Sequence, residues 1–154
     1  MTVRDWGRGI PLGKLVECVS EINTGAKYNT DVFVFSVGLN GVGTKAVNAL
    51  SSRFRVRSCR DGRFREVLFV RGELRSDESG DTAEKNGTLV EFTPDREIFG
   101  EYRFLPEFIE RRMQHYAFLN SGLRVQFNDR VFRSDDGLLD LLSDETGDEA
   151  IYAP

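Results

Sequence analysis

The chain has 154 residues, of which 40% are hydrophobic and 30% charged, the composition of a single domain that can bury a core. A formal net charge of -4 argues against a surface built to wrap nucleic acid by bulk electrostatics. Two cysteines far apart in sequence, Cys18 and Cys59, and a single histidine, His115, exclude a zinc-finger site and a disulfide framework and suit a reducing compartment.

Residues 2–5 read as the end of a strand, followed by the turn "DWGRGIPLG". Met1 opens directly onto that strand, so the chain is expected to start inside a domain already under way. No apolar run approaches the length of a membrane span and the first residues carry no signal-peptide core, which sets the expectation at a cytoplasmic protein with no membrane partner. From Leu12 the apolar positions Leu12, Leu15, Val16, Val19 and Ile22 recur at threes and fours, the mark of an amphipathic helix, with Pro11 at its first position. A polar loop "NTGAKYNTD", the apolar "VFVFSV" and a three-glycine segment follow, and helical spacing resumes from Val42 to Leu50.

The period then changes. "RFRVRSCRDGRFREVLFV" places Phe54, Val56 and Ser58 on one face and Arg53, Arg55 and Arg57 on the other, with an Asp61-Gly62 turn suited to a hairpin. The arginine stripe is read as the solvated face of a sheet strand in preference to a nucleic-acid strip. Residues 76–87 are expected to be a polar loop and "TLVEFTPD" a strand ended by Pro94. A further helix from about Leu105 carries Phe108, Ile109, Met113 and Tyr116 as its apolar stripe, with His115 beside it as a packing or surface residue. "LRVQFNDRVFRS" reads as a hairpin turning at Asn128-Asp129, "DDGLLDLL" as a short helix, and "SDETGDEAIYAP" as an acidic linker. Strands clustered as hairpins predict an α+β fold, a two-layer α/β sandwich with helices on one face of a mixed, mostly antiparallel sheet.

Gly38, Gly41 and Gly43 lie within "SVGLNGVGTKAVNAL". Their G-x-x-G-x-G spacing inverts the dinucleotide fingerprint, and the P-loop order is reversed at Thr44-Lys45. Two readings fit: close backbone approach to an anion at the free N–H groups of a helix N-terminus, or a tight turn that packs a helix.

Asp5-Trp6-Gly7-Arg8-Gly9 is a D-x-G-x-G after a strand, and Asn86-Gly87-Thr88 opens another. A carboxylate fixed in the first can accept from an exocyclic amine, and its glycines let a flat ring lie against the backbone. With the three-glycine segment, these motifs resemble the nucleotide-binding motifs of the GHKL ATPase superfamily, which groups gyrase, chaperone, histidine-kinase and MutL ATPases. Within it, "RDWGRGIP", "INTGAKY", "SVGLNGVGTKAVNALS", "NGTLVEF", "HYAFLNSGL" and the closing "DGLLDLL" are similar to the B-subunit of bacterial type IIA topoisomerases, DNA gyrase or topoisomerase IV, over nearly the whole chain.

That resemblance implies a Bergerat-type fold, here incomplete, with a partial GHKL ATP-binding domain over residues 1–143 and an acidic linker over 144–154 towards a missing transducer domain. It implies that Asp5 binds the adenine amino group and that Thr88 supports the same network, with Gly7 and Gly9 beneath the ring. Gly38, Leu39, Asn40, Gly41, Val42, Gly43 and Thr44 match the segment that wraps the triphosphate, and Lys27 matches the lysine of a lid over bound ATP. Arg8, Pro11 and Arg60 match an outer pocket where coumarin-type inhibitors overlap the ATP site. The cofactors implied are ATP and Mg²⁺, the magnesium ligand being expected upstream of this chain. The partners implied for the parent protein are DNA, the topoisomerase A-subunit and a second copy, through homodimerisation on ATP binding.

The sequence also departs from the family. "GGLHGVG" is here "VGLNGVG", with Val37 and Asn40, and "AGGKF" is "TGAKY", with Ala26 in place of a glycine; both favour a topoisomerase IV-like branch. The general-base glutamate and magnesium-binding asparagine match no residue here, so the chain is expected to be part of an ATP-hydrolysing type II topoisomerase and to be inactive alone, general-base loss removing about 10² to 10⁴ in rate. The alternatives are a degenerate nucleotide-binding or interaction module without hydrolysis, and another GHKL ATPase, MutL-like or chaperone-like.

Overall fold

The computed structural model describes residues 1–21 and 41–147, and the chain divides into two compact units, Met1–Tyr102 and Arg103–Pro154. Ile22, "NTGAKYNTD" and "VFVFSV" lie outside the described residues.

The first unit is a five-stranded sheet in the order β1-β5-β2-β3-β4, with β1 at Thr2–Arg4, β2 at Ser51–Arg60, β3 at Arg63–Val70, β4 at Glu73–Asp81 and β5 at Gly87–Pro94. All four ladders are antiparallel. The β2–β3 hairpin turns at Asp61-Gly62 as expected, both residues at positive φ, which matches the right-handed twist of the flanking strands. Register places Phe54 opposite Phe69 and Phe92, and Val56 opposite Val67 and Val90. This apolar face is covered by α1, Leu15–Ser20, and α2, Gly43–Ala49. Leu15, Val19, Phe54, Val56, Val67 and Phe69 form the buried core, with Val47, Val90 and Phe92 packed around it. The first helix differs from the sequence reading at its start, because Leu12–Lys14 is a 3-10 turn and the α-helix begins only at Leu15. A short helix, α3, Arg96–Phe99, follows β5, its first turn capped by the Asp95 carboxylate accepting from the Glu97 amide.

Residues 76–81, expected in a loop, belong instead to β4, a hairpin partner of β3 across the Arg71-Gly72 turn. An edge strand has one free side and little apolar cover, so its "ELRSDESGD" lacks the alternation that marks a half-buried strand.

The opposite sheet face carries the arginine stripe, and the pairing there is dense. Arg55 donates to both carboxylate oxygens of Glu66 at 2.8 and 2.7 Å and to Glu91 at 2.5 Å. Arg57 donates to Glu66 at 3.2 Å and to Glu84 at 2.9 Å, its guanidinium 3.7 Å from the Phe64 ring centre. These arginines are committed to carboxylates, in keeping with a solvated sheet face. The hydrogen bond from Arg55, more than any other contact, holds the Glu66 carboxyl below its ordinary value. A group whose folded pKa is depressed stabilises the fold above its unfolded pKa and loses that contribution as pH falls through the folded value. Glu66→Gln is therefore expected to cost about 1 kcal/mol at neutral pH, modest because the pair still meets water, and to flatten the loss of stability below about pH 4.5, as thermal melts across pH would measure.

The second unit contains α4, Pro106–Leu119, the hairpin of β6, Val125–Phe127, with β7, Arg130–Phe132, and α5, Leu138–Thr146. The packed face of α4 is Ile109, Met113 and Ala117, spaced by fours, whereas Phe108 and Tyr116 of the expected stripe are exposed. A stripe that mixes steps of one, three and four is wider than the contact one helix face makes here. Helix α5 continues through the acidic residues to Thr146, its hydroxyl donating to the Leu142 carbonyl at 2.8 Å. Among the described residues, no helix is long and apolar enough to cross a membrane.

Candidate functional site

The D-x-G-x-G turn meets the sheet at the start of β5. The Asp5 amide donates to the Thr88 carbonyl at 2.9 Å, extending the β1–β5 ladder by one residue. The Asp5 carboxylate then folds back, Oδ1 accepting from the Gly7 amide at 2.8 Å and from the Thr88 amide at 3.3 Å. Among the described residues these bonds engage Oδ1 and not Oδ2, which leaves one carboxylate oxygen of an exposed, fixed side chain to accept from a ligand donor.

Each residue of Asn86-Gly87-Thr88 has a separate task. Asn86 accepts from the Asp61 amide through its side-chain oxygen at 2.9 Å and so ties β5 to the β2–β3 turn. Gly87, at φ 145°, lets the backbones meet, because a Cβ there would stand 2.1 Å from the Asp5 carbonyl oxygen. Thr88, nearly buried, receives Asp5. On the other side of the turn Gly9, at φ 74°, lies against β2, where a Cβ would come within 2.5 Å of the Cys59 carbonyl oxygen. Ser58, opposite Thr88 in the β2–β5 ladder, donates to the Ile10 carbonyl at 2.8 Å.

The structure thus gathers Asp5, Gly7, Gly9 and Thr88, which are up to 83 residues apart in sequence. Arg8 is exposed, Pro11 is half-buried at the start of the 3-10 turn, and Arg60 ends β2 with its Nε 3.4 Å from Asp61. Gly41, Val42, Gly43 and Thr44 are exposed at the head of α2, while Lys45 and Asn48 behind them are buried. Gly41 sits at φ 56°, a conformation that favours glycine, and among the described residues a Cβ at Gly43 would meet nothing within 4 Å. Lys27, Gly38, Leu39 and Asn40 lie outside the described residues. Among the described residues no group of three or more His, Cys, Asp or Glu side chains is placed to hold a metal.

Sequence reasoning missed Ser58 and Gly87 as site residues. A serine interrupting the apolar face of "FRVRSC" and a glycine opening a strand were the available signals.

No family model matches the chain. Over 153 residues it is 57% identical to the B-subunit of DNA topoisomerase 4 of Borreliella burgdorferi, covering 99% of this chain and 26% of that protein. It is 36% identical over 154 residues to the B-subunit of DNA gyrase of Thermotoga maritima, covering 90% of this chain and 24% of that protein. The chain therefore spans about a quarter of the length of these curated relatives. Among solved structures it superposes on the 43K ATPase domain of Thermus thermophilus gyrase B in complex with an aminocoumarin, with a TM-score of 0.73 and 32% identity, over 96% of this chain and 40% of that one. The B-subunit of the Myxococcus xanthus DNA gyrase shares the fold, with a TM-score of 0.72 at 21% identity over 94% of this chain and 44% of that one.

The fold is that of the gyrase B ATPase domain, an open antiparallel sheet with helices on one face. The chain belongs to the B-subunit family of bacterial-type type IIA DNA topoisomerases, which takes in DNA gyrase and topoisomerase IV.

Proposed function

We propose that this chain forms the adenine and phosphate wall of the ATP site of a type IIA topoisomerase B-subunit, in which ATP binding and hydrolysis drive DNA strand passage. The observation that carries the reading is the Asp5 carboxylate: Oδ1 is held by the Gly7 and Thr88 amides, and Oδ2 is left to accept from the adenine amine. Gly7 and Gly9 supply the flat floor for the ring, and Gly41 to Thr44, with Gly38, Leu39 and Asn40 before them, supply backbone N–H groups to the phosphates. Lys27 closes over the nucleotide, and Arg8, Pro11 and Arg60 line the outer pocket that a coumarin-type inhibitor would share. Residues 1–143 serve as a partial ATP-binding domain and 144–154 as an acidic linker, whose first residues, to Thr146, still belong to α5. The whole protein works with its A-subunit partner on DNA, as a dimer that closes on ATP, and Mg²⁺ neutralises the phosphates when bound. No residue named here is assigned the general base.

The test is titration of a non-hydrolysable ATP analogue by calorimetry. Asp5→Asn keeps the shape but replaces a charged acceptor by an amide that presents a donor to the adenine amine. The loss of one charge-assisted hydrogen bond is about 1.5–3 kcal/mol, or roughly 10- to 150-fold in Kd. An Asn variant that melts like the parent chain and keeps full affinity would sink the adenine assignment.

A further inference from the structure

The turn from Gly9 to Leu12 is held to the sheet by two backbone carbonyls. Ile10 accepts from Ser58, and Leu12 accepts from Arg65 Nη1 at 2.7 Å. Ser58 and Arg65 face each other directly across the β2–β3 ladder, so one cross-strand pair grips the turn at alternate residues. Arg65 is itself fixed: its Nε and Nη2 donate to the two carboxylate oxygens of Asp77 on β4, at 2.9 and 2.6 Å. A planar guanidinium docked on both oxygens of a carboxylate has little freedom left, and its remaining nitrogen points where the fork dictates. Pro11 lies between the two gripped carbonyls, with Arg8 two residues ahead of the first.

The Asp5 end of the same segment is fixed by other means, through Thr88 and Gly87 on β5. The two ends of the segment therefore have independent supports, one from β5 and one from the β2–β3–β4 side of the sheet.

We propose that Arg65, clamped by Asp77, is a positioning residue that sets the outer wall Arg8–Pro11 of the nucleotide site, and so governs affinity for ligands that reach beyond the nucleotide onto that wall. The inference rests on the proposed ATP site, with the adenine at Asp5. Removing the clamp leaves the Ile10 anchor and the Lys14-to-Pro11 turn, whose amide–carbonyl bond is 2.9 Å, but frees the Leu12 carbonyl and with it the position of Pro11.

The experiment compares two probes, ADP and an aminocoumarin, on the 154-residue chain and its Arg65→Ala and Asp77→Asn variants. Arg65→Ala is expected to weaken the aminocoumarin about ten-fold while changing ADP less than about two-fold. Asp77→Asn leaves Arg65 in place but loosens its fork, and is expected to weaken the aminocoumarin in the same direction by a smaller factor. A merely structural role would lower both affinities together with the melting temperature, and that result, or no change in either ligand, overturns the proposal. If Arg65→Ala does not fold, Asp77→Asn carries the same test by the same ratio of affinities. Failure of the parent chain to bind ADP overturns the site reading itself, whereas binding without the selective loss overturns only the role of Arg65.

Discussion

Replacing Gly87 by alanine is expected to remove about 3 kcal/mol or more of stability and, with it, the alignment of Asp5 on Thr88. The new Cβ would stand 2.1 Å from the Asp5 carbonyl oxygen and 3.0 Å from both the Asp5 carbonyl carbon and the Trp6 Cα. All three are backbone atoms, so no side chain can swing aside; β1 and β5 have to separate or the turn has to rebuild. The backbone adds a second cost, because φ at this residue is 145°, where an L side chain is strained whatever the space. Urea unfolding and ligand titration read the two effects separately. The midpoint drops with the slope unchanged, since the same surface is exposed on unfolding, and affinity for an ATP analogue falls by more than in Asp5→Asn. A Gly87→Ala chain within about 0.5 kcal/mol of the parent would show that the close approach of β1 to β5 is not required.

Phe54→Ala is expected to cost about 3–5 kcal/mol, the range for deleting a fully buried aromatic side chain. Phe54 is completely buried on the central strand β2, between Phe92 on β5 and Phe69 on β3. Its ring meets Phe69 edge to face, with centroids 6.4 Å apart and planes at 61°, a geometry that adds to plain area burial. The cavity would open under α1 and α2, whose Leu15, Val19 and Val47 share the cluster. Helices of six and seven residues have little stability of their own and hold their shape through that contact. Loss of helical signal at lower denaturant than the sheet signal would accompany the drop in midpoint. A cost below about 1 kcal/mol would mean that the helices repack without Phe54.

Much of the first unit was legible because its signals are local. The Asp61-Gly62 turn needs two residues at positive φ and carries types that tolerate it, and the alternation of Phe54, Val56 and Ser58 against Arg55 and Arg57 shows which side faces the helices. Other elements carried no such mark. β4 is polar on an exposed edge, so its pairing with β3 is decided by the turn at Arg71-Gly72 and by Asp77 meeting Arg65, contacts invisible in the composition of "ELRSDESGD". On α4 the hydrophobic residues outnumber the positions that pack, and Phe108 and Tyr116 are left exposed.

The candidate site divides in the same way. Its residue types stand in the sequence as short motifs, D-x-G-x-G and N-G-T, each needing only neighbours to form its turn or open its strand. Their meeting does not follow from either motif. Asp5 reaches Thr88 across 83 residues because β1 pairs with β5 in one register, and a shift of one residue would turn every side chain to the wrong face. Ser58 and Arg65 join the site only through their cross-strand pairing, which puts both within reach of the Gly9–Leu12 turn. By itself the sequence determined the local conformations, the apolar face and the chemistry on offer, since these depend on residues a few positions apart. Only the tertiary structure decided which oxygen of Asp5 is held, which glycines stand too close to another backbone to be replaced, and which arginine grips the turn, because strand register is settled by the burial of the whole sheet at once.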